Sequence, residues 1–372
     1  MIEKVLVVGG GIGGMSAALS LARNGVSVTL IDNDPSWRVY GAGITITGMS
    51  LRAFDDLGIL EDIRTRGFIH TGMRAMRFDG ERIPGPPPAP SGAPPIQCGG
   101  GIMRPVLHDI LSTRVRAAGI KVRLGLTVET LDQVDEGVDV VLTDGTTERY
   151  DLVVGADGIF SKMRTMILPD APKPQLTGQG CWRIVAERPA SVDRAEIYFG
   201  GPLKVGMSPI SQDQMYMFLL EHVPGNPWFP PETHVAHLSK LMEPFGGHVK
   251  AVREGLGEQS QIVYRPLEWL LVPDPWYSGR VVLIGDAAHA TTPHMASGAG
   301  VAVEDGLVLA EELAKTDDVA TALHGFMERR FDRARMVVET SVRQGELEMA
   351  GTERQQQTNI LATATKALAE AY

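Results

Sequence analysis

The chain has 372 residues, 44% hydrophobic and 22% charged; these are the proportions of a globular protein, and the length calls for two or three domains. Its formal net charge is −10, and a surface of that sign repels phosphate backbones and anionic lipid, which argues against nucleic-acid binding and a membrane-surface role. The two cysteines, Cys98 and Cys181, have no metal-ligand spacing and make no disulfide framework, so a reducing, cytoplasmic setting is expected.

The N-terminus runs directly into Lys4–Val8, a buried strand by its apolar run. It has neither the basic region nor the small-residue cleavage site of a signal peptide, and no uncharged apolar stretch along the chain is long enough to span a bilayer. Glycines follow, then a helix from about Ile12 to Asn24 with Gly25 as its C-cap, then a strand over Val26–Ile31. This is a β-α-β unit with a parallel sheet. Residues 82–101 hold seven prolines between Pro84 and Pro95, followed by Gly99-Gly100-Gly101. Proline at that density excludes a central strand and predicts an irregular surface loop, with a mobile lid near a substrate cavity as the sharper alternative.

Further strands are expected at Lys121–Leu124, Val138–Leu142, Leu152–Val154 and Val281–Ile284, the first two joining Thr127–Leu131 in a small meander on the main sheet. Between about 171 and 270 the segments Glu196–Phe199, Val205–Ile210 and Met215–Glu221, punctuated by Gly and Pro, predict a mostly antiparallel sheet. From about 278 the α/β pattern returns. Near the C-terminus Leu323, Met327, Phe331, Ala334, Val338 and Val342 recur every three or four residues, the stripe of one long amphipathic helix packed on the body or on a second subunit. The fold class is therefore α/β, or mixed α+β: a Rossmann-like domain from residues 1–70, 100–170 and 271–320, an inserted antiparallel substrate domain from 71–99 and 171–270, and a helical segment over 321–372.

The glycines after the first strand are Gly9, Gly11 and Gly14, spaced G-x-G-x-x-G with Ile12 and Gly13 between them, and Asp32 ends the second strand 18 residues after Gly14. That context is the one a dinucleotide requires. Gly9 permits the tight turn, Gly11 lets backbone approach a pyrophosphate, and Gly14 allows close helix–strand packing, while the helix N-terminus offers free N–H groups. Asp32 would accept hydrogen bonds from a ribose 2′-hydroxyl. The fingerprint does not separate FAD from NAD.

Leu152 to Arg164 reads LVVGADGIFSKMR, and Val281 to His289 reads VVLIGDAAH. These segments resemble the GADGxxSxxR and GDAAH signatures of the FAD-dependent aromatic hydroxylases. Arg104-Pro105-Val106-Leu107 resembles the same family's R-x-x-L element, and Gly41-Ala42-Gly43-Ile44 its glycine turn beside the flavin ring. All stand in the family's chain order, and Gly285–Asp305 looks most like the salicylate-hydroxylase group of single-component enzymes. The resemblance implies non-covalent FAD, NADH or NADPH as a transient co-substrate, and O2, with hydroxylation of an aromatic or heteroaromatic molecule through a flavin C4a-hydroperoxide. It places Asp286 on a ribityl hydroxyl, Arg104 on the pyrophosphate or ribityl region, and Asp157 with Gly158 at a segment serving both cofactors; a purely structural turn is the alternative for the last. Pro293, Ser297, Gly298, Ala299 and Gly300 fall where a helix N-terminus points at the flavin pyrimidine. The chain departs from the family in reading Ala296-Ser297-Gly298 where Gly-Gln-Gly is common, and Gly300 where Asn is frequent.

No second G-x-G-x-x-G is present, which fits transient binding of NAD(P)H in a groove, and the Cys pair of a disulfide reductase is missing. On the substrate side Arg183, Lys204, Tyr216 and His294 are the candidates. Tyr216 would hydrogen-bond a substrate hydroxyl, Lys204 or Arg183 would hold a carboxylate or oxyanion, and His294 would lie over the flavin, each against the plainer reading of core packing or surface charge. His289 reads as structural. Met207, Met215 and Met217 suit an adaptable cavity wall or ordinary core. The alternatives are the same scaffold used as an oxidase, reductase, epoxidase or Baeyer–Villiger enzyme, and a non-catalytic flavin-bound sensor. A monomer or homodimer is expected.

Overall fold

The computed structural model describes residues 2–39, 41–84, 98–134, 136–352 and 354–372. Its main sheet has six strands in the order Tyr277–Ser278, Val281–Leu283, Leu152–Gly155, Lys4–Val8, Ser27–Asp32 and Lys121–Leu124. All neighbours run parallel except the first pair. Val5–Val8, Leu152–Val154 and Val281–Leu283 are buried throughout, as strands covered by helices on both faces must be. The fingerprint helix, Ile12–Arg23, and the helix Gly298–Lys315 pack together. They cross so closely that a Cβ on Gly306 would lie 2.6 Å from the Ala17 amide nitrogen.

The strand Lys121–Leu124 follows the helix Arg104–Ala117 back into this sheet and pairs in parallel with Ser27–Asp32. Contrary to the expectation from sequence, it is not part of the meander. That small sheet is Val128–Val134, Gly137–Leu142 and Thr147–Tyr150. The glycine triplet is also a correction. Gly99–Gly101 lie in a strand, Cys98–Met103, between Gly43–Ile46 and Phe68–Thr71. A Cβ on Gly101 would meet the Pro209 carbonyl oxygen at 2.3 Å, and one on Gly100 the Phe68 oxygen at 2.6 Å. Glycine here serves close passage of one backbone past another rather than a loop. The proline-rich stretch over 85–97, with its lid reading, lies outside the described residues.

The second large sheet runs Ile262–Trp269, Gln175–Glu187, Gln214–His222, Lys204–Pro209, Ala195–Phe199 and Met73–Arg77. It is antiparallel except for its last pair. One face packs Trp182, Ile184, Val205, Met207, Met215 and Met217 on two short helices, His234–Met242 and Gly247–Glu254, forming a core of its own. The three methionines sit in this core, and Met207 also lines the cavity. The alternate residues, Arg183, Lys204 and Tyr216 among them, line the other face, because side chains on a strand alternate sides.

The expected amphipathic helix is Val319–Met349, which packs on Gly298–Lys315 through buried Leu323, Phe326 and Met327. A further helix, Arg354–Ala369, folds back on it. Between Gly298–Lys315 and Val319–Met349 lies a buried ion network. Arg330 bridges Glu304 at 2.9 Å and Asp305 at 2.8 Å. Arg333 pairs with Glu304 and donates to the Leu368 carbonyl, tying the last helix to the main domain. No helix among the described residues is long and apolar enough to cross a membrane.

Candidate active site

A cavity of about 2390 Å³ opens between the two large sheets. On one side it is bounded by Gly11, Ile12, Gly13, Arg104 and Asp286, on the other by Arg183, Lys204, Tyr216 and Phe218. Gly9 has φ +109°, and a Cβ there would strike the Ala156 oxygen at 2.3 Å. A Cβ on Gly14 would lie 1.9 Å from the Gly9 oxygen, whereas one on Gly11 would meet nothing within 4 Å. The turn thus demands glycine at Gly9 and Gly14 for packing and leaves open space at Gly11, where a ligand's approach requires it. Asp32 accepts from the Gly10 amide at 2.7 Å and the Asp34 amide at 2.8 Å. It shapes the turn and is outside the cavity lining.

Asp157 shows the structural alternative. Its Oδ1 accepts from the Ser161 hydroxyl at 2.5 Å, and its Oδ2 accepts from the amides of Lys162 and Met163. Arg164 donates to the carbonyls of Ala287 and Ile159. The acid, serine and arginine of this motif hold their own turn, and it is Ala156 and Gly158 that face the cavity. Asp157 itself lies outside the cavity lining, with its carboxylate taken up in this turn. His289 is structural as expected, its Nε2 lying 2.6 Å from Asp305, which also accepts from the Gly285 amide at 2.8 Å. That carboxylate fixes the residue just before Asp286.

Asp286 and Arg104 have no protein hydrogen-bond partner for their charged groups among the described residues, and both line the cavity. Asp286 is open to the cavity yet ringed by protein. Burial raises its carboxyl above the usual range, against the pull of His289 and Arg104. Burial, reinforced by the like charge of Arg183, lowers Arg104. Two opposite charges open to the cavity and without protein partners, beside glycines that leave room for a chain of atoms, fit a polar dinucleotide such as FAD. Pro293, Ser297, Gly298 and Ala299 complete the wall at the N-terminus of Gly298–Lys315. Gly300 does not: a Cβ there would hit the Ser50 hydroxyl at 2.3 Å, so it serves helix packing. Gly43 and Ile44 line the cavity from a strand, Gly43–Ile46, rather than from a turn.

On the opposite wall Tyr216 is 5% exposed and sits in a small cluster with Ala42, Ile210 and Val185. Val185 pairs with Tyr216 and Arg183 with Phe218, so Arg183 and Tyr216 share a face one step apart. Burial pushes the Tyr216 phenol up to about 12, against the pull of Arg183 beside it. Lys204 is different. Its Nζ lies 2.5 Å from Glu348 on the C-terminal helix, so the expected carboxylate holder is already paired within the protein. His294 lines the cavity but is tied to its neighbours within the protein. Its side chain is fully buried, Nδ1 is 2.9 Å from the Thr292 hydroxyl, and Nε2 is 3.4 Å from Glu348. Glu348 was missed from the sequence. The available signal was Gln344 and Glu348, polar residues one turn apart beside the end of the apolar stripe.

The chain matches the family described as FAD binding domain over residues 3–341. It is 31% identical over 351 residues to the aurachin C monooxygenase/isomerase of Stigmatella aurantiaca, covering 92% of this chain and 89% of that one. It is 30% identical over 356 residues to 3-amino-4-hydroxybenzoate 2-monooxygenase PtmB3 of Streptomyces platensis, covering 92% and 87%. Among solved structures, Klebsiella pneumoniae HpxO complexed with FAD and uric acid superimposes with a TM-score of 0.83 at 25% identity, covering 98% of this chain and 93% of that one.

Proposed function

The chain belongs to the FAD-dependent aromatic-hydroxylase family of monooxygenases, and from that premise we propose that it hydroxylates an aromatic or heteroaromatic ring seated against Tyr216 and Arg183, using NADH or NADPH as transient reductant. The observation that carries this reading is the facing of two walls: unpartnered Asp286 and Arg104 on one, and the Tyr216–Arg183 pair on the other. The first pair suits the cofactor; the second suits a ring hydroxyl. HpxO, which is similar over nearly the whole chain, holds FAD and uric acid together, and that supports a cavity shared by cofactor and ring.

FAD, when bound, supplies the redox chemistry and the activation of O2. The protein's part is positional. Gly11–Gly13 and Arg104 would hold the diphosphate region, Asp286 a ribityl hydroxyl, and the amides from Ser297 to Ala299 the ring's polar edge. Tyr216 would hydrogen-bond the substrate's ring hydroxyl, and the Arg183 guanidinium would stabilise negative charge that builds on that oxygen. Phe218, Ile197 and Val263 form apolar wall around it and exclude water. A cytoplasmic setting and a monomeric or homodimeric state belong to the same proposal.

The test is consumption of NAD(P)H and O2 by the purified holoprotein across phenolic and pyridine compounds. Stimulation by one of them with a hydroxylated product supports the reading. Reductant turnover that no aromatic compound stimulates would sink it.

A further inference from the structure

Lys204 and Tyr216 do not serve the same end of the cavity. Across the neighbouring strands Ser208 pairs with Tyr216, whereas Lys204 pairs with Leu220. Four residues of strand separate the two positions, about 13 Å at the usual rise. Arg183, opposite Phe218, stands between them. The cavity therefore has a proximal end at Tyr216 and Arg183 and a distal end at Lys204, where the C-terminal helix comes down.

At the distal end the charges are already balanced. Glu348 Oε1 lies 2.5 Å from Lys204 Nζ and also accepts from Gln344 Nε2 at 2.7 Å. The pair is largely enclosed, with side-chain exposures of 21% and 11%. By contrast, no ion pair involves Arg183 or Arg104 among the described residues. The second carboxylate oxygen, Glu348 Oε2, lies 3.4 Å from His294 Nε2, so both oxygens of Glu348 face side chains of the protein.

We propose that Glu348 is the specificity-determining residue of the distal end: by closing Lys204 in an ion pair it selects a hydroxylated ring that bears a neutral hydrogen-bonding group there, and disfavours one bearing a carboxylate. The inference rests on the aromatic-hydroxylase reading above and narrows its substrate class. An anion arriving at Lys204 meets the Glu348 carboxylate at close range in a poorly screened site, and like-charge contact of that kind is what discriminates between otherwise similar ligands. A carbonyl, amide or ring N–H meets no such repulsion and can still hydrogen-bond to the Lys204–Glu348 pair. Burial alone would raise the Glu348 carboxyl, but the His294 contact and the charge of Lys204 hold it down to about 2, so it stays ionised at any working pH.

The experiment compares holoenzyme with its Glu348→Gln and Glu348→Asp variants, each checked for full FAD content. Two isosteric probes, 4-hydroxybenzamide and 4-hydroxybenzoate, are titrated against the flavin absorbance without reductant. Wild type should bind the amide at least as tightly as the carboxylate. Glu348→Gln should shift the ratio of the two Kd values tenfold or more toward the carboxylate, and Glu348→Asp should restore the wild-type preference. In parallel, 2,4,6-trinitrobenzenesulfonate, an anionic amine reagent, should modify Lys204 at least tenfold faster in Glu348→Gln than in wild type, as read by peptide mass mapping. An unchanged Kd ratio, or equal labelling of Lys204 in both proteins, overturns the proposal while leaving the ring reading intact. Silence of both probes in every variant counts against the ring reading itself, and the inference falls with it.

Discussion

Gly43 lies directly against Tyr216: a Cβ on Gly43 would sit 2.5 Å from the tyrosine Cβ and 2.8 Å from its Cγ. One residue belongs to a short strand beside the cofactor side of the cavity, the other to the substrate sheet. Gly43→Ala should therefore push the two walls apart. Overpacking at a buried contact costs about 1–3 kcal/mol, so a lower Tm is expected together with weaker binding of ring probes. A variant with wild-type Tm and wild-type probe affinity would show that the contact is slack.

Asp286 should govern cofactor retention. Removing an enclosed carboxylate that would accept from a ribityl hydroxyl forfeits a charge-assisted hydrogen bond of about 1.5–3 kcal/mol, a loss of about ten- to hundredfold in FAD affinity. Asp286→Ala should purify with much of its flavin gone, measured as absorbance per polypeptide. Full flavin content would remove Asp286 from the cofactor set.

Tyr216→Phe keeps the ring that packs on Gly43 and deletes only the hydroxyl. The proposed hydrogen bond then disappears while the wall stays in place. Product formed per NAD(P)H oxidised should fall, with FAD content unchanged. Unaltered coupling would take Tyr216 out of the reaction.

Stability should be concentrated at Arg330, which has no solvent exposure and two carboxylate partners. Arg330→Ala leaves Glu304 and Asp305 without that cation, and breaking one side of a buried pair typically costs about 3–5 kcal/mol. Chemical denaturation should show a midpoint shift of that order. Replacing the whole cluster with apolar residues should be far less damaging than the single change.

Acid should loosen the C-terminal helix from the substrate sheet. Glu348 is held from its ordinary value of 4.5 down to about 2. A depressed carboxyl stabilises the fold fully above its unfolded pKa and loses that contribution as pH falls through the folded one. The part of stability carried by the Lys204–Glu348 pair should thus be present above about pH 4.5 and vanish toward about pH 2. In Glu348→Gln that part of the acid dependence should be missing, as unfolding midpoints across this range would reveal.

The β-α-β opening, the strand at Val281 and the long C-terminal helix were legible because each rests on local rules: apolar runs, a glycine spacing, a stripe of period near four. What was not legible depended on partners distant in sequence. Gly99–Gly101 read as loop because nothing local shows that Pro209 and Phe68 will pass within contact distance. Asp157 is indistinguishable by motif from a cofactor ligand until its carboxylate is seen closing its own turn. Lys204 looked free because its partner Glu348 is 144 residues away. The cofactor wall was easier to read than the substrate wall for the same reason. Its motifs are contiguous, whereas the opposite wall is assembled from single residues on several strands.

The most direct test supplies the holoprotein with NAD(P)H and isotopically labelled O2 together with phenolic and pyridine compounds, and measures the label in the organic product. One ring compound is expected to stimulate reductant consumption and to leave with one oxygen atom from O2 in a new hydroxyl group. Oxidation of the substrate with all of the O2 recovered as hydrogen peroxide, and no label in the ring, would contradict it and identify an oxidase on the same scaffold.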